Sequence, residues 1–316
     1  MKNRKAIIFG IKGTKLTLNE KNLLKKKIPW GIILFERNIK NIEQVKNLTD
    51  QIKIITKDKK YPIMIDQEGG RVNRLKNIIN LDYFDQKSFG NMYLKKKINF
   101  NMIYDSYIKM TSHILKKMGI NINTVPVLDI IKNNSHGIIG NRSFSKNKKI
   151  VYKLGQLCID FYKKNKIATV MKHIPGHGSS KKDSHYSTPV IKLSKKNLTR
   201  NDFVPFKRCK PLFAMTAHIV FNAYDLKNTV THSKIIIKNI IRKKLCFKGI
   251  LISDDISMKA LKYSVEKNAV KAIEAGCNLV LHCNGNIHEM NRLIKIVPNI
   301  DRFTQKKTSD FYKFLR

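Results

Sequence analysis

The run Ile167-Ala168-Thr169-Val170-Met171-Lys172-His173-Ile174-Pro175-Gly176-His177-Gly178 changes character at its midpoint, apolar up to Met171 and then basic, titratable and turn-forming. The first half has the composition of a buried strand. The glycines and Pro175 of the second half mark a turn where backbone passes close to a neighbour or a ligand. Within fourteen positions from Lys172 stand His173, His177 and His185 together with Asp183, a density of ionisable groups that packing does not require. The stretch reads as a strand end opening into an active-site loop.

Seven other short apolar segments accompany it: "AIIFG" (6–10), "GIILF" (31–35), "YPIMID" (61–66), "INTVPVLD" (122–129), "LFAMTAHIV" (212–220), "GILISD" (249–254) and "NLVLHC" (278–283). Each is followed by a longer segment with helical spacing. Leu23 and Leu24, then Val45, Leu48, Ile52 and Ile55, then Ile235, Ile236 and Ile240 recur at intervals of three and four. Asn19 and Ser233 are candidate N-caps, and Gly119 and Gly276 stand where helices should stop. Continuous apolar strands alternating with amphipathic helices predict a parallel sheet covered by helices. Eight such units suit an α/β fold of the (β/α)8 TIM-barrel type in a single domain, although spacing alone also allows an open doubly wound sheet. The strand-end residues favour the barrel. Asp66, Asp129, Lys172 with His173, His218 and Asp254 each lie late in or at the end of a predicted strand, and a barrel brings those ends to one rim. The expected division is a catalytic domain over 1–300, with 301–316 as a polar tail or short closing helix.

The 316 residues carry 63 Lys and Arg against 22 Asp and Glu, a formal net charge of +41. Such a charge raises nucleic-acid binding, but the lysines are spread over nearly every helical segment and no aromatic-rich basic motif accompanies them. A solvated surface is the better reading. The five cysteines are widely separated and show no disulfide or zinc spacing. "AIIFGI" is too short for a signal peptide, and no apolar run approaches the roughly 20 residues of a membrane span. A cytoplasmic chain without membrane partners is expected.

Dinucleotide and P-loop readings lack their glycine-rich cradles. A zinc site from His173, His177, His185 and Asp183 lacks a recognised ligand spacing, so neither metal nor organic cofactor is expected. Glycoside chemistry needs a carboxylate facing the anomeric carbon and a separate proton donor. Asp254 suits the first task. Asp255 is expected to cap a helix beginning near Met258 or to bond to backbone. His185 suits the second task, with Asp183 two positions earlier to orient its ring and raise its pKa. His177 is read as loop support, and His113, His136, His232, His282 and His288 as ordinary surface or helix residues.

Four blocks, "MIDQEGGRVNRL", "IIGNRSF", "MKHIPGHG" with "DSH" four residues on, and "ISDDISM" followed by "GCNLVL", make the chain resemble the family 3 glycoside hydrolases, in their bacterial β-N-acetylglucosaminidase branch. With "GTKLT" and "WGIILFERNI" the resemblance covers nearly the whole sequence. It implies that Asp254 is the nucleophile and that Asp183 with His185 forms an acid/base dyad on a loop. It implies further that Asp66, Arg74, Arg142, Lys172 and His173 hold a terminal N-acetylglucosamine. The implied activity is retaining exo-hydrolysis of β-N-acetylhexosaminides, with N-acetylglucosamine linked to anhydro-N-acetylmuramic acid in peptidoglycan recycling as the natural substrate. The implied partner is this small carbohydrate, bound by a monomer. Two competing readings are a phosphorylase using the same site and a basic nucleic-acid-binding protein on a decayed barrel.

Overall fold

The computed structural model describes residues 3–96, 98–132, 139–180 and 187–316. Along these the chain forms β1 (Lys5–Gly10), α1 (Leu18–Lys26), β2 (Pro29–Leu34), α2 (Ile42–Ile55), β3 (Ile63–Ile65), α3 (Gln86–Leu94), α4 (Phe100–Lys117) and β4 (Ile122–Asn123). There follow α5 (Lys148–Lys164), β5 (Ala168–Ile174), β6 (Val190–Ile191), α6 (Lys195–Arg200), α7 (Val204–Arg208), β7 (Phe213–Thr216) and β8 (Val220–Phe221). The last elements are a π-helix (Ile236–Lys244), β9 (Ile250–Asp255), α8 (Val265–Ala275), β10 (Leu279–His282), α9 (Ile287–Ile296) and α10 (Arg302–Phe314).

Eight of the strands, β1, β2, β3, β4, β5, β7, β9 and β10, close into one barrel, and each overlaps one of the eight apolar segments. All neighbouring pairs are parallel, and closure falls where Ile7 of β1 meets Val280 of β10. Strands buried on both faces explain the near-continuous apolar runs, and all six residues of β2 are buried. The fold is therefore a single-domain (β/α)8 TIM barrel. The short β6 and β8 pair with each other outside the barrel, in the connections that follow β5 and β7. Among the described residues no helix is long and apolar enough to cross a membrane.

The helix limits follow local chemistry. Thr17, not Asn19, caps α1: its hydroxyl accepts from the Glu20 N–H while Glu20 reaches back to the Thr17 N–H, a reciprocal capping box. Ser233 does cap the helix that follows it, accepting from Ile236 N at 3.2 Å. That segment then winds as a π-helix, so that Ile236, Ile237, Ile240 and Ile241 face inward while Ile235 is exposed. Gly276 ends α8 in the left-handed region, with φ of 114°, and Gly119 follows α4 with φ of 76°.

The N-terminal mouth of the barrel is closed by α10. Phe311 is fully buried against Trp30 and Phe213, with ring centroids 6.4 and 5.5 Å away. The Trp30 indole N–H donates to Thr308 Oγ1 at 2.8 Å. With that end plugged, the opposite rim is left for the site.

Candidate active site

The C-terminal rim converges as a barrel requires. Asp66 follows β3, Thr124 follows β4, Lys172 and His173 end β5, and Asp254 lies at the end of β9; all line one pocket of about 170 Å³ together with Arg74, Arg142 and His177. Every substrate-binding candidate read from the sequence is in that pocket. Asp183 and His185, the dyad candidates, lie outside the described residues, as does His136.

Asp66 stands at the centre of the cationic wall. Its Oδ1 accepts from Thr124 Oγ1 at 2.7 Å and from the Lys172 ammonium, and its Oδ2 from Arg74 Nη2 at 3.0 Å. Burial pushes this carboxyl up, yet Lys172, Arg74 and Arg142 hold it well below the usual carboxylate range. Lys172 also pairs with Glu68 at 2.6 Å, and Arg142 grips Glu68 through Nε at 2.7 Å and Nη2 at 2.8 Å. Glu68 was not among the candidates read from the sequence. Its signal was a carboxylate in "DQEGG", directly after an apolar strand, and the buried ion pairs that explain it are visible only in three dimensions.

A second network supports the turn after β5. Asp129, fully buried, accepts from His173 Nδ1 at 2.7 Å and from the His177 backbone N–H at 2.6 Å. Nε2 is thereby the His173 ring nitrogen left for the pocket. Burial raises the Asp129 carboxyl, but His173 and His177 bring it below its ordinary value. Burial lowers the His177 imidazole to about 4. The peptide bonds before His173 and Pro175 are both cis. Gly178 answers to close approach: a Cβ there would fall 1.9 Å from the Ile130 carbonyl oxygen.

The two aspartates of β9 diverge. Asp254 turns to the pocket and accepts from the Asp255 N–H at 2.8 Å. Burial pushes its carboxyl up, while His218, His173, that N–H and Lys172 lower it below the ordinary carboxylate value. Asp255 accepts from the N–H groups of Ser257 at 3.1 Å and Cys283 at 3.2 Å, so it bonds to backbone; the next helix begins at Val265. Beneath them His218 is buried, its Nε2 donating to the Asp255 carbonyl at 2.9 Å and its Nδ1 meeting Thr231 Oγ1 at 2.7 Å. Burial lowers its pKa, in keeping with a neutral ring that accepts on Nδ1. His282 is corrected too: it is a core residue of β10, paired with Glu289 at 2.6 Å.

Chemically, the pocket offers an ionised carboxylate, Asp254, across from an anion–cation lattice rich in donors and acceptors. That suits a polyhydroxylated ligand, whose hydroxyls both give and take hydrogen bonds.

Comparison with known proteins agrees. The sequence matches the N-terminal domain of glycosyl hydrolase family 3 over residues 6–310. A beta-hexosaminidase of Photobacterium profundum is 32% identical, over 98% of this chain and 92% of its own. NagZ from Neisseria gonorrhoeae, solved in complex with N-trifluoroacetyl-D-glucosamine, superposes with a TM-score of 0.88 at 30% identity, covering 99% of this chain and 90% of that one. The same Neisseria protein has also been solved in complex with zinc ion. A family 3 beta-N-acetylglucosaminidase from Paenibacillus sp. str. FPU-7 superposes with a TM-score of 0.86 at 27% identity over 98% of this chain, which spans 60% of that longer one. Likeness along almost the whole barrel, in sequence and in shape, makes the chain a member of glycosyl hydrolase family 3.

Proposed function

We propose that the protein removes a single β-linked N-acetylglucosamine from the non-reducing end of its substrate, with retention, through a covalent glycosyl–Asp254 intermediate. The observation that carries this reading is the seating of Asp254, ionised and partly shielded, in one pocket with Asp66, Arg74, Arg142, Lys172 and His173. A carboxylate held in its charged form is ready to meet the positive charge that develops at the anomeric carbon. Asp66 takes sugar hydroxyl donors on its two oxygens, and the cations and His173 Nε2 hold the sugar's oxygens.

His185, oriented by Asp183, protonates the departing oxygen as Asp254 attacks, and in the second step draws a proton from the water that releases the sugar. These roles rest on the family resemblance of "DSH". A histidine titrating near neutrality can serve both steps. The natural substrate on this reading is N-acetylglucosamine linked to anhydro-N-acetylmuramic acid, with or without peptide, met in the cytoplasm by a monomer during peptidoglycan recycling.

The test is hydrolysis of an aryl β-N-acetylglucosaminide by the wild type and Asp254→Ala, with the first-formed anomer read by NMR. Retained β-anomer from the wild type and no turnover by the variant are expected. An α-anomer, or turnover that survives in Asp254→Ala, would sink the assignment. The same assay in phosphate buffer should yield free N-acetylglucosamine; sugar 1-phosphate as the main product would make the protein a phosphorylase. Activity unchanged by chelator is expected as well.

A further inference from the structure

The face opposite the active site, where the strands begin, carries two neighbouring grooves. The first, of about 490 Å³, lies at the starts of β5 and β7 and is edged by Lys163, Lys166 and Lys210. The second, of about 540 Å³, lies at the starts of β9 and β10 and is edged by Lys248, Lys306 and Lys307, with Arg242 in its wall. They adjoin where Ile250 N–H, two residues after Lys248, donates at 3.0 Å to the carbonyl of Leu212, which lines the first groove. α10 runs past both, with Phe303 in the second groove and Phe314 in the first, about 17 Å apart along its axis. Distant segments of the chain supply these cations, so the cluster exists only in the folded barrel.

The charge gathered there has little counter-charge. Of the six lysines only Lys307 forms an ion pair among the described residues, with Asp310 at 3.3 Å, and no other acid lines either groove. Asp301, at the head of α10, is occupied as its N-cap by the Thr304 N–H at 2.7 Å. Arg242 bonds to neutral acceptors, the carbonyls of Phe247 and Gly249 at 3.0 and 2.8 Å and Asn278 Oδ1 at 2.7 Å. Burial lowers the Lys210 pKa, and repulsion from Lys207 and Lys248 adds to that. Phe303 is 39% exposed, with the Arg242 guanidinium 5.6 Å from its ring centroid. Clustered cations in clefts focus a positive potential, and an open aromatic ring among them is a platform for a flat base. Both rings are set in concave walls, which a flexible chain can enter and a flat bilayer surface cannot.

We propose that this face binds single-stranded nucleic acid without sequence preference, its phosphates following the lysines of the two grooves and a base stacking on Phe303. Phosphate contacts of this kind carry no sequence information, and their strength falls with salt. The site lies at the far end of the barrel from the sugar pocket and does not depend on the glycosidase reading.

The experiment follows fluorescence anisotropy of a short labelled oligouridylate at low and physiological salt. It uses the wild type, the double variant Lys248→Glu/Lys306→Glu, Phe303→Ala, and the control Lys40→Glu/Lys109→Glu, which makes the same change of charge ahead of α2 and on α4, away from both grooves. Far-UV circular dichroism checks that each is folded. The wild type should bind in a salt-dependent way, the groove double variant should lose about tenfold or more in affinity, and Phe303→Ala about tenfold, as for one stacked base. The control should lose less than about threefold, because overall charge acts weakly beyond a Debye length. No binding by the wild type, or equal losses in the groove and control variants, overturns the proposal. Unchanged affinity in Phe303→Ala, or equal binding of a duplex, overturns the single-strand assignment. Tighter binding to vesicles containing phosphatidylglycerol than to the oligonucleotide, lost in Lys248→Glu/Lys306→Glu, would give the face to a membrane surface instead.

Discussion

Arg142 and Glu68 face one another in a two-bond clamp within the pocket wall, Nε to Oε2 at 2.7 Å and Nη2 to Oε1 at 2.8 Å. Glu68 is 5% exposed and also receives Lys172. It is thus the counter-charge that lets two cations stand at a nearly dry rim.

Removing it should do more than remove a hydrogen bond. Glu68→Ala leaves Arg142 and Lys172 short of a partner, and stranding buried charge costs about 3–5 kcal/mol. A fall of that size in unfolding free energy by urea titration, with an unchanged m-value, is expected. Glu68→Gln should recover part of it and raise KM more than it lowers kcat.

Acid should loosen the turn after β5. Burial depresses His177 to about 4, while an unfolded histidine titrates near 6.5. The unfolded chain therefore binds the extra proton first, and stability that is complete above pH 6.5 is lost as the pH falls toward 4. Asp129, also depressed, adds a loss at lower pH as its folded value is crossed. Between pH 6.5 and 5.0, His177→Gln should lose about 2 kcal/mol less than the wild type. Equal losses in the two proteins would mean that His177 does not carry the proton.

At the far end of the barrel, Phe311→Ala empties the space between Trp30 and Phe213. A cost of about 3–5 kcal/mol follows from lost burial and the cavity left behind. Thermal melting should show it, while KM for an aryl glycoside stays as it is, because the change lies on the face opposite the site.

His185→Ala isolates the proton donor. Glycosides with poor leaving groups should lose about 10²–10⁴-fold in rate, and an activated aryl glycoside should be slowed mainly at release from Asp254. Added azide should then restore turnover and yield a glycosyl azide of retained configuration. Failure of azide to change the rate or the product would argue that His185 is not the acid/base.

Eight strand–helix units were legible because a strand buried on both faces must be apolar throughout, and that demand is written locally. The carboxylates, lysine and histidine at strand ends were legible for the same reason, since charge at the edge of an apolar run has no packing use. Family likeness then supplied roles that spacing could not. Less was readable where two distant segments share one job. Thr17 outranks Asn19 as a cap through Glu20's return bond, the aromatic plug of α10 needs β2 and β7 in place, and Glu68 is explained by Arg142 seventy-four positions away.

The sequence by itself determined a (β/α)8 chain with its chemistry at strand ends, because burial periodicity and isolated charge are local properties. Only the tertiary structure decided which ions compensate one another, and that Asp255 is tied to the N–H groups of Ser257 and Cys283 while Asp254, among the described residues, accepts only from its neighbour's N–H. Those are matters of distance across the barrel, where a few ångströms of low-dielectric space separate a satisfied charge from a stranded one.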